Sequence, residues 1–198
     1  MKSQQTIVLV TLGSCVLAGC APVGKTSIYS YETQQILKKN PTFKNYVGPI
    51  LNDVPHHTSI SHFTLQYTRT VNSFSRLSFY TYMWHGSLYQ GLVLMNKQNG
   101  RWIEEFGSRR SRVFPNVAFT QTEMSGGGGK QEPYFAVGGI INNASIRAIN
   151  IYLVNGTLAQ VPISPHQKTY FFVNTGSQQG VMKIAGVNNH GVPVYQYH

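Results

Sequence analysis

Three groups of residues have the types and spacing to do chemistry. His56, His57 and His62 are the one imidazole cluster that could share a metal ion or stand at a reaction centre. Pro55 puts the adjacent pair in a loop, where neighbouring rings point to different sides. No glutamate stands in an HExxH-like frame, so a solvated loop is the competing reading and no metal is expected. Arg109, Arg110 and Arg112 form the densest charge cluster, with guanidinium groups able to fork onto phosphate or carboxylate oxygens or simply to be solvated. Tyr80, Tyr82, Trp84, Tyr89 and Trp102 offer either a stacking platform for sugars and bases or ordinary cross-strand packing.

Other catalytic arrangements find few residues to build from. Glu32, Asp53, Glu104, Glu105, Glu123 and Glu132 are scattered apart from one adjacent pair, and neighbours in a strand face opposite ways, so no two-carboxylate couple is visible. No serine occupies a Gly-x-Ser-x-Gly elbow, and Ser87 after Gly86 reads as a turn residue. Gly126 to Gly129 are followed by Lys130 without the Gly-Lys-Ser/Thr of a phosphate loop. The expectation is a chain without catalytic residues or cofactors.

Composition says what must position these groups. Only 11% of the 198 residues are charged, while the chain holds 12 Tyr, 10 Phe and 19 Gly. That mixture suits half-buried pleated surfaces and tight turns, and predicts a mainly β fold, an antiparallel sandwich or meander. Sixteen Lys and Arg against six Asp and Glu give a net charge of +10, which favours an anionic partner.

Along the chain, one helix is predicted from Tyr31 to Lys39, with Ser30 as N-cap and Pro41 just beyond. From Ile60 the period becomes two. Phe63, Leu65 and Tyr67 alternate with His62, Thr64 and Gln66 as a strand with one buried face requires. Leu77 to Trp84, the His85-Gly86 turn and Leu88 to Met95 read as a hairpin, and Asn99-Gly100 returns the chain along Arg101 to Phe106. A further strand is expected from Val113 to Gln121. Ser125 and the four glycines break the pattern, because glycine costs backbone entropy inside an element; residues 125–133 are read as a domain linker or a long mobile hairpin loop. Six strands follow: Tyr134–Ile141, Ile146–Val154, Thr157–Ile163, Lys168–Val173, Gly180–Val187 and Val192–Tyr197, with turns at Asn155-Gly156 and Asn188-Asn189-His190-Gly191.

The beginning of the chain has a separate character. Lys2 precedes an apolar run, Ile7 to Leu12, too short to span a bilayer. It closes on Leu17-Ala18-Gly19-Cys20, which resembles the lipobox of bacterial membrane lipoproteins, where cleavage leaves a diacylated cysteine at the mature N-terminus. The resemblance implies a signal peptide over residues 1–19, a lipidated tether over 20–30 and acylation of Cys20. Cleavage there would discard Cys15, the only other cysteine, so no disulfide is expected.

The last third also resembles the immunoglobulin-like β-sandwich modules of secreted bacterial proteins, in Val137-Gly138-Gly139-Ile140, Ile149 with Ile151, and Asn155-Gly156. The organisation expected is therefore a helix plus antiparallel β region over 31–124, the Gly-rich segment 125–133, and a sandwich-like module over 134–198. The function expected is a non-catalytic, lipid-anchored cell-envelope protein on the outer face of the cell membrane, or on the outer membrane where one exists. Its partners would be the membrane through the N-terminal lipid, and an anionic lipid, wall polymer or envelope protein through Arg109, Arg110 and Arg112; nucleic acid is not favoured. The alternative is an envelope glycan-binding protein or hydrolase with an aromatic groove and a site at His56, His57 and His62.

Overall fold

A computed structural model describes Lys38 and residues 60–107, 111–128, 131–176 and 180–197. Apart from Lys38, the predicted helix lies outside these residues, as do Cys20, His56, His57, Arg109 and Arg110. The described chain is mainly β, with every paired strand antiparallel to its neighbour.

Among the described residues, twelve strands form three sheets. The first sheet takes β1 (Ile60–Asn72), β2 (Ser75–Trp84), β3 (Ser87–Gln98) and β4 (Arg101–Gly107) in order, with the short β5 (Ser111–Arg112) also pairing β3. The second has β7 (Gln131–Ile140) between β6 (Thr122–Gly128) and β10 (Thr169–Thr175). The third runs β12 (Pro193–Tyr197), β11 (Val181–Val187), β8 (Ala148–Leu153), β9 (Leu158–Pro162). The six strands expected after the glycines are all present, within a few residues of their predicted ends. Their turns fall at Asn155-Gly156 and after Asn188.

The second sheet is the middle layer of a stack. Tyr134, Ala136, Ile140 and Phe171 pack with Leu77, Phe79, Leu92, Leu94 and Val113 of the first sheet and its flank. The opposite face, through Phe135, Val137 and Tyr170, packs with Ile149, Ile151, Leu153 and Ile184 of the third. From Tyr134 to Ile141 every residue of β7 and its end is buried, since a strand with a sheet on each side has no solvent face. Residues from both sides of the Gly-rich segment thus share one core.

Three local readings change. The glycines read as a linker or loop are strand: Ser125, Gly126 and Gly128 pair with Phe135, Tyr134 and Gln131. Glycine is kept there because the Tyr134 ring lies across Gly126, where a Cβ would stand 2.6 Å from its hydroxyl oxygen. Ring contact from the neighbouring strand offsets the entropy that argued against an element. Gly127 takes φ +90° at a register irregularity in the same hairpin.

The strand expected from Val113 to Gln121 is instead mostly irregular, with a single bridge between Phe119 and Ile141. Pro115 brings no N–H, and the backbone is held by other partners. Asn142 Nδ2 donates to Phe114 O at 3.0 Å and Val117 O at 2.9 Å, and the N–H groups of Asn142 and Asn143 both donate to Ala118 O.

In β1, alternation placed Phe63, Leu65 and Tyr67 on one face. Register shifts between Ser61 and Thr64, and between Leu65 and Tyr67, break that parity. Phe63 stacks on Tyr80, whereas Tyr67 stacks on Phe171 in the core and Leu65 is 36% exposed.

The close approach of the layers predicts which glycines matter. A Cβ on Gly138 would stand 2.8 Å from the Phe79 ring, and one on Gly139 would overlap the Thr120 carbonyl, while one on Gly180 would meet nothing within 4 Å. Gly138→Ala and Gly139→Ala should each lower unfolding stability by about 1–3 kcal/mol, with Gly180→Ala neutral or slightly stabilising. Urea midpoints check this; equal midpoints for Gly139→Ala and Gly180→Ala would contradict the layered packing.

Candidate functional site

Arg112 is the described member of the arginine cluster, and β5 positions it. Tyr89 pairs with Arg112 and Gln90 with Ser111, and the Val113 N–H donates to Leu88 O at 2.8 Å. Val113 is buried in the core, which fixes the strand and leaves Arg112 exposed beside Tyr89. Its Cζ lies 5.8 Å from the centroid of Phe114, itself 54% exposed. A guanidinium against a ring keeps its N–H edges available to an anion, as a cation–π contact engages only its face.

The aromatic candidates are brought together, though chiefly as packing. Tyr82 stacks on Tyr80 at 6.1 Å and on Tyr89 at 5.5 Å, and Trp84 meets Tyr89 at 5.2 Å and His85 at 5.1 Å. Tyr80 and Tyr82 are fully buried, so only the half-buried Trp84 and Tyr89 reach the surface from this row. Trp102 stands apart on β4, with the Arg76 guanidinium 4.2 Å above its ring. Sequence reasoning missed this pair because Arg76 and Trp102 are joined only through cross-strand register, Arg76 opposite Met95 and Trp102 opposite Lys97.

His62 sits at the first irregularity of β1 with φ +50°, exposed, its Nδ1 3.1 Å from Ser61 Oγ. Among the described residues no group of three His, Cys, Asp or Glu side chains converges as a metal would need. No described helix is long and apolar enough to cross a membrane.

Sequence reasoning also missed a polar junction at the centre of the stack. Thr120 Oγ1 donates to Gln90 Oε1 at 2.7 Å and accepts from the Ile140 N–H at 2.9 Å. Thr120 O receives the Tyr170 hydroxyl at 2.9 Å, so one residue ties β3, β7 and β10. Around it the buried Gln90 Nε2, Ser111 Oγ and Gln121 Oε1 find no hydrogen-bond partner among the described residues. A neighbouring open depression of about 290 Å³ is lined by Pro115, Val117, Asn142, Asn143 and Tyr195. It brings together amides and one ring edge, without a titratable pair.

Burial raises the proton affinity of two tyrosines beside this junction. Complete burial pushes Tyr170 well above the ordinary phenol range, helped by the charges of Glu123 and Tyr197. Tyr197 donates to Phe119 O at 2.7 Å and is pushed up to about 12, by burial first and then by Tyr195. Phe119 receives the edges of Tyr170, Tyr195 and Tyr197 within 6.1 Å, so both phenols are held against one ring.

No protein-family model, curated protein or solved structure matches this chain.

Raised phenol affinities have a definite sign. The unfolded chain ionises its tyrosines near pH 10 while the folded chain holds these protons, so their contribution is full below pH 10 and is lost as pH rises through about 12. Denaturation midpoints should fall steeply between pH 10 and 11.5. Tyr197→Phe should be less stable at neutral pH, by about 1 kcal/mol for the lost hydrogen bond, yet show a shallower alkaline decline. An unchanged slope would remove Tyr197 as a contributor.

Proposed function

We propose that this chain is a non-catalytic, lipid-anchored cell-envelope protein whose basic surface meets an anionic partner close to the membrane. The observation that carries the reading is Leu17-Ala18-Gly19-Cys20 closing a short apolar run behind Lys2. A diacylated Cys20 supplies the first membrane signal, and a positive surface supplies a second that adds to it at an anionic bilayer, by about 1 kcal/mol per cation near the surface.

Charge arrangement supports the second signal. The net charge is +10, and no ion pair joins two residues whose side chains the structure describes. Arg76, Arg112 and Lys183 instead lie against Trp102, Phe114 and Tyr152. A ring engages only the face of a cation and does not neutralise it, so such a residue can still attract an external phosphate or carboxylate. The partner class is an anionic lipid, wall polymer or envelope protein on the outer face of the membrane.

Two measurements test the two halves separately. Cells expressing the full chain and fed labelled palmitate should give a labelled band that Cys20→Ala abolishes; an unlabelled wild-type band would refute acylation. The triple change Arg109→Ala, Arg110→Ala and Arg112→Ala should weaken capture of anionic vesicles or wall polymer at 50 mM salt by about tenfold. It should have little effect at 500 mM, where the screening length falls to a few ångströms. Equal capture at low salt would remove these arginines from the interface.

A further inference from the structure

Two turns of the first sheet lie side by side at the end of β1 remote from Ile60. Asn72 to Ser75 joins β1 to β2, and Gln98 to Arg101 joins β3 to β4. The Lys97 N–H donates to Phe74 O at 2.7 Å, and Ser75 Oγ donates to Asn96 Oδ1 at 2.6 Å, so the two turns form one apex. The Phe74 N–H donates to Asn72 Oδ1 at 2.9 Å, an Asx turn that fixes the loop.

Phe74 stands at this apex 66% exposed, the most exposed large apolar side chain described. Its backbone is held from both sides by the bonds to Asn72 and Lys97, so the ring is presented by a braced turn. Behind it lie Arg76 on the Trp102 ring, and Lys97 directly across the ladder from Trp102. No acidic residue occurs from Val71 to Ser78 or from Asn96 to Ile103.

We propose that this Phe74, Arg76, Lys97 and Trp102 apex docks on an anionic phospholipid surface, with the Phe74 ring entering the acyl boundary and the cations at the headgroup phosphates. An exposed ring ahead of an amphipathic indole and two long cationic side chains matches the layering of a bilayer interface, apolar then phosphate. Charge complementarity selects the lipid as partner: the two turns and the residues beside them carry Arg76 and Lys97 with no acid before Glu104, two residues beyond Trp102 and paired to Met95, and the apex offers one exposed ring rather than a groove or flat apolar patch for a protein.

The apex lies far from the start of β1, and the chain from Cys20 to Ile60 can span at most about 140 Å, enough for either end of β1 to face the bilayer. The proposal rests on the membrane-anchored reading above and names the surface that touches the lipid.

The test uses the acylated full chain with vesicles of phosphatidylcholine alone or with 30% phosphatidylglycerol, their acyl chains brominated as short-range quenchers. Phe74→Trp should give a blue-shifted fluorescence component, absent from the unsubstituted protein and quenched only on the anionic vesicles. Adding Arg76→Gln and Lys97→Gln to that variant should raise the anionic lipid needed for half-quenching by about tenfold. The thermal midpoint of each variant is read beside it, to separate loss of contact from loss of fold. Protein that floats with anionic vesicles while the introduced indole stays unquenched overturns the apex and leaves the anchored reading intact. Protein that floats with neither vesicle overturns both.

Discussion

The structure depends on how close two outer sheets can come to a central one that is buried on both faces. Large rings arrive from each side, and β7 answers with glycine where they meet it. Phe79 comes down on Gly138 from the first sheet, and Tyr170 and the Thr120 backbone close on Gly139 from the other side. Two further cross-strand pairs repeat the device, Tyr80 over Gly91 and Tyr134 over Gly126. Glycine weakens a strand through entropy and lack of side-chain contact, so it survives here because a neighbour's ring supplies the contact.

That closeness also explains the polar groups in the interior. A chain segment pressed against Gly139 buries carbonyls that need donors, and the phenols of Tyr170 and Tyr197 reach Thr120 O and Phe119 O. Tyr67 plays the same part at the edge, donating to Thr169 O at 3.0 Å while its ring stacks on Phe171. These ties are neutral at ordinary pH. The fold is therefore held by rings and uncharged hydrogen bonds, and its cohesion should respond weakly to salt while its surface potential responds strongly.

Much of the fold was legible because period-two patterning and Asn-Gly turns report directly on strands and hairpins. The six C-terminal strands and the β2–β3–β4 meander follow from them. What escaped lay in contacts between residues distant in sequence. Nothing local to Gly126 announces the Tyr134 ring, and nothing local to Val113–Gln121 announces that Asn142 will take its carbonyls. In β1 the pattern was present, but register shifts turned Phe63 and Tyr67 to opposite faces. For the candidate site, composition exposed the cationic excess and adjacency exposed the arginine cluster. The Arg76 and Trp102 pair was hidden, because register between strands is set by turns and packing rather than by spacing along one strand.

A scarcity of carboxylates joins these two levels. In a chain with more acids, cross-strand cations would find opposite charges and spend their field locally. Here Arg76, Arg112 and Lys183 lie on rings, which hold the side chain in place by its apolar face without neutralising it. The same aromatic-rich composition that builds the layers also supplies surface rings such as Trp102 and Phe114 that orient the cations. Removing a carboxylate from such a protein would alter its potential slightly; removing a ring under a cation would free the side chain and blur the charge in space, weakening recognition of a fixed phosphate array while leaving the net charge of +10 unaltered.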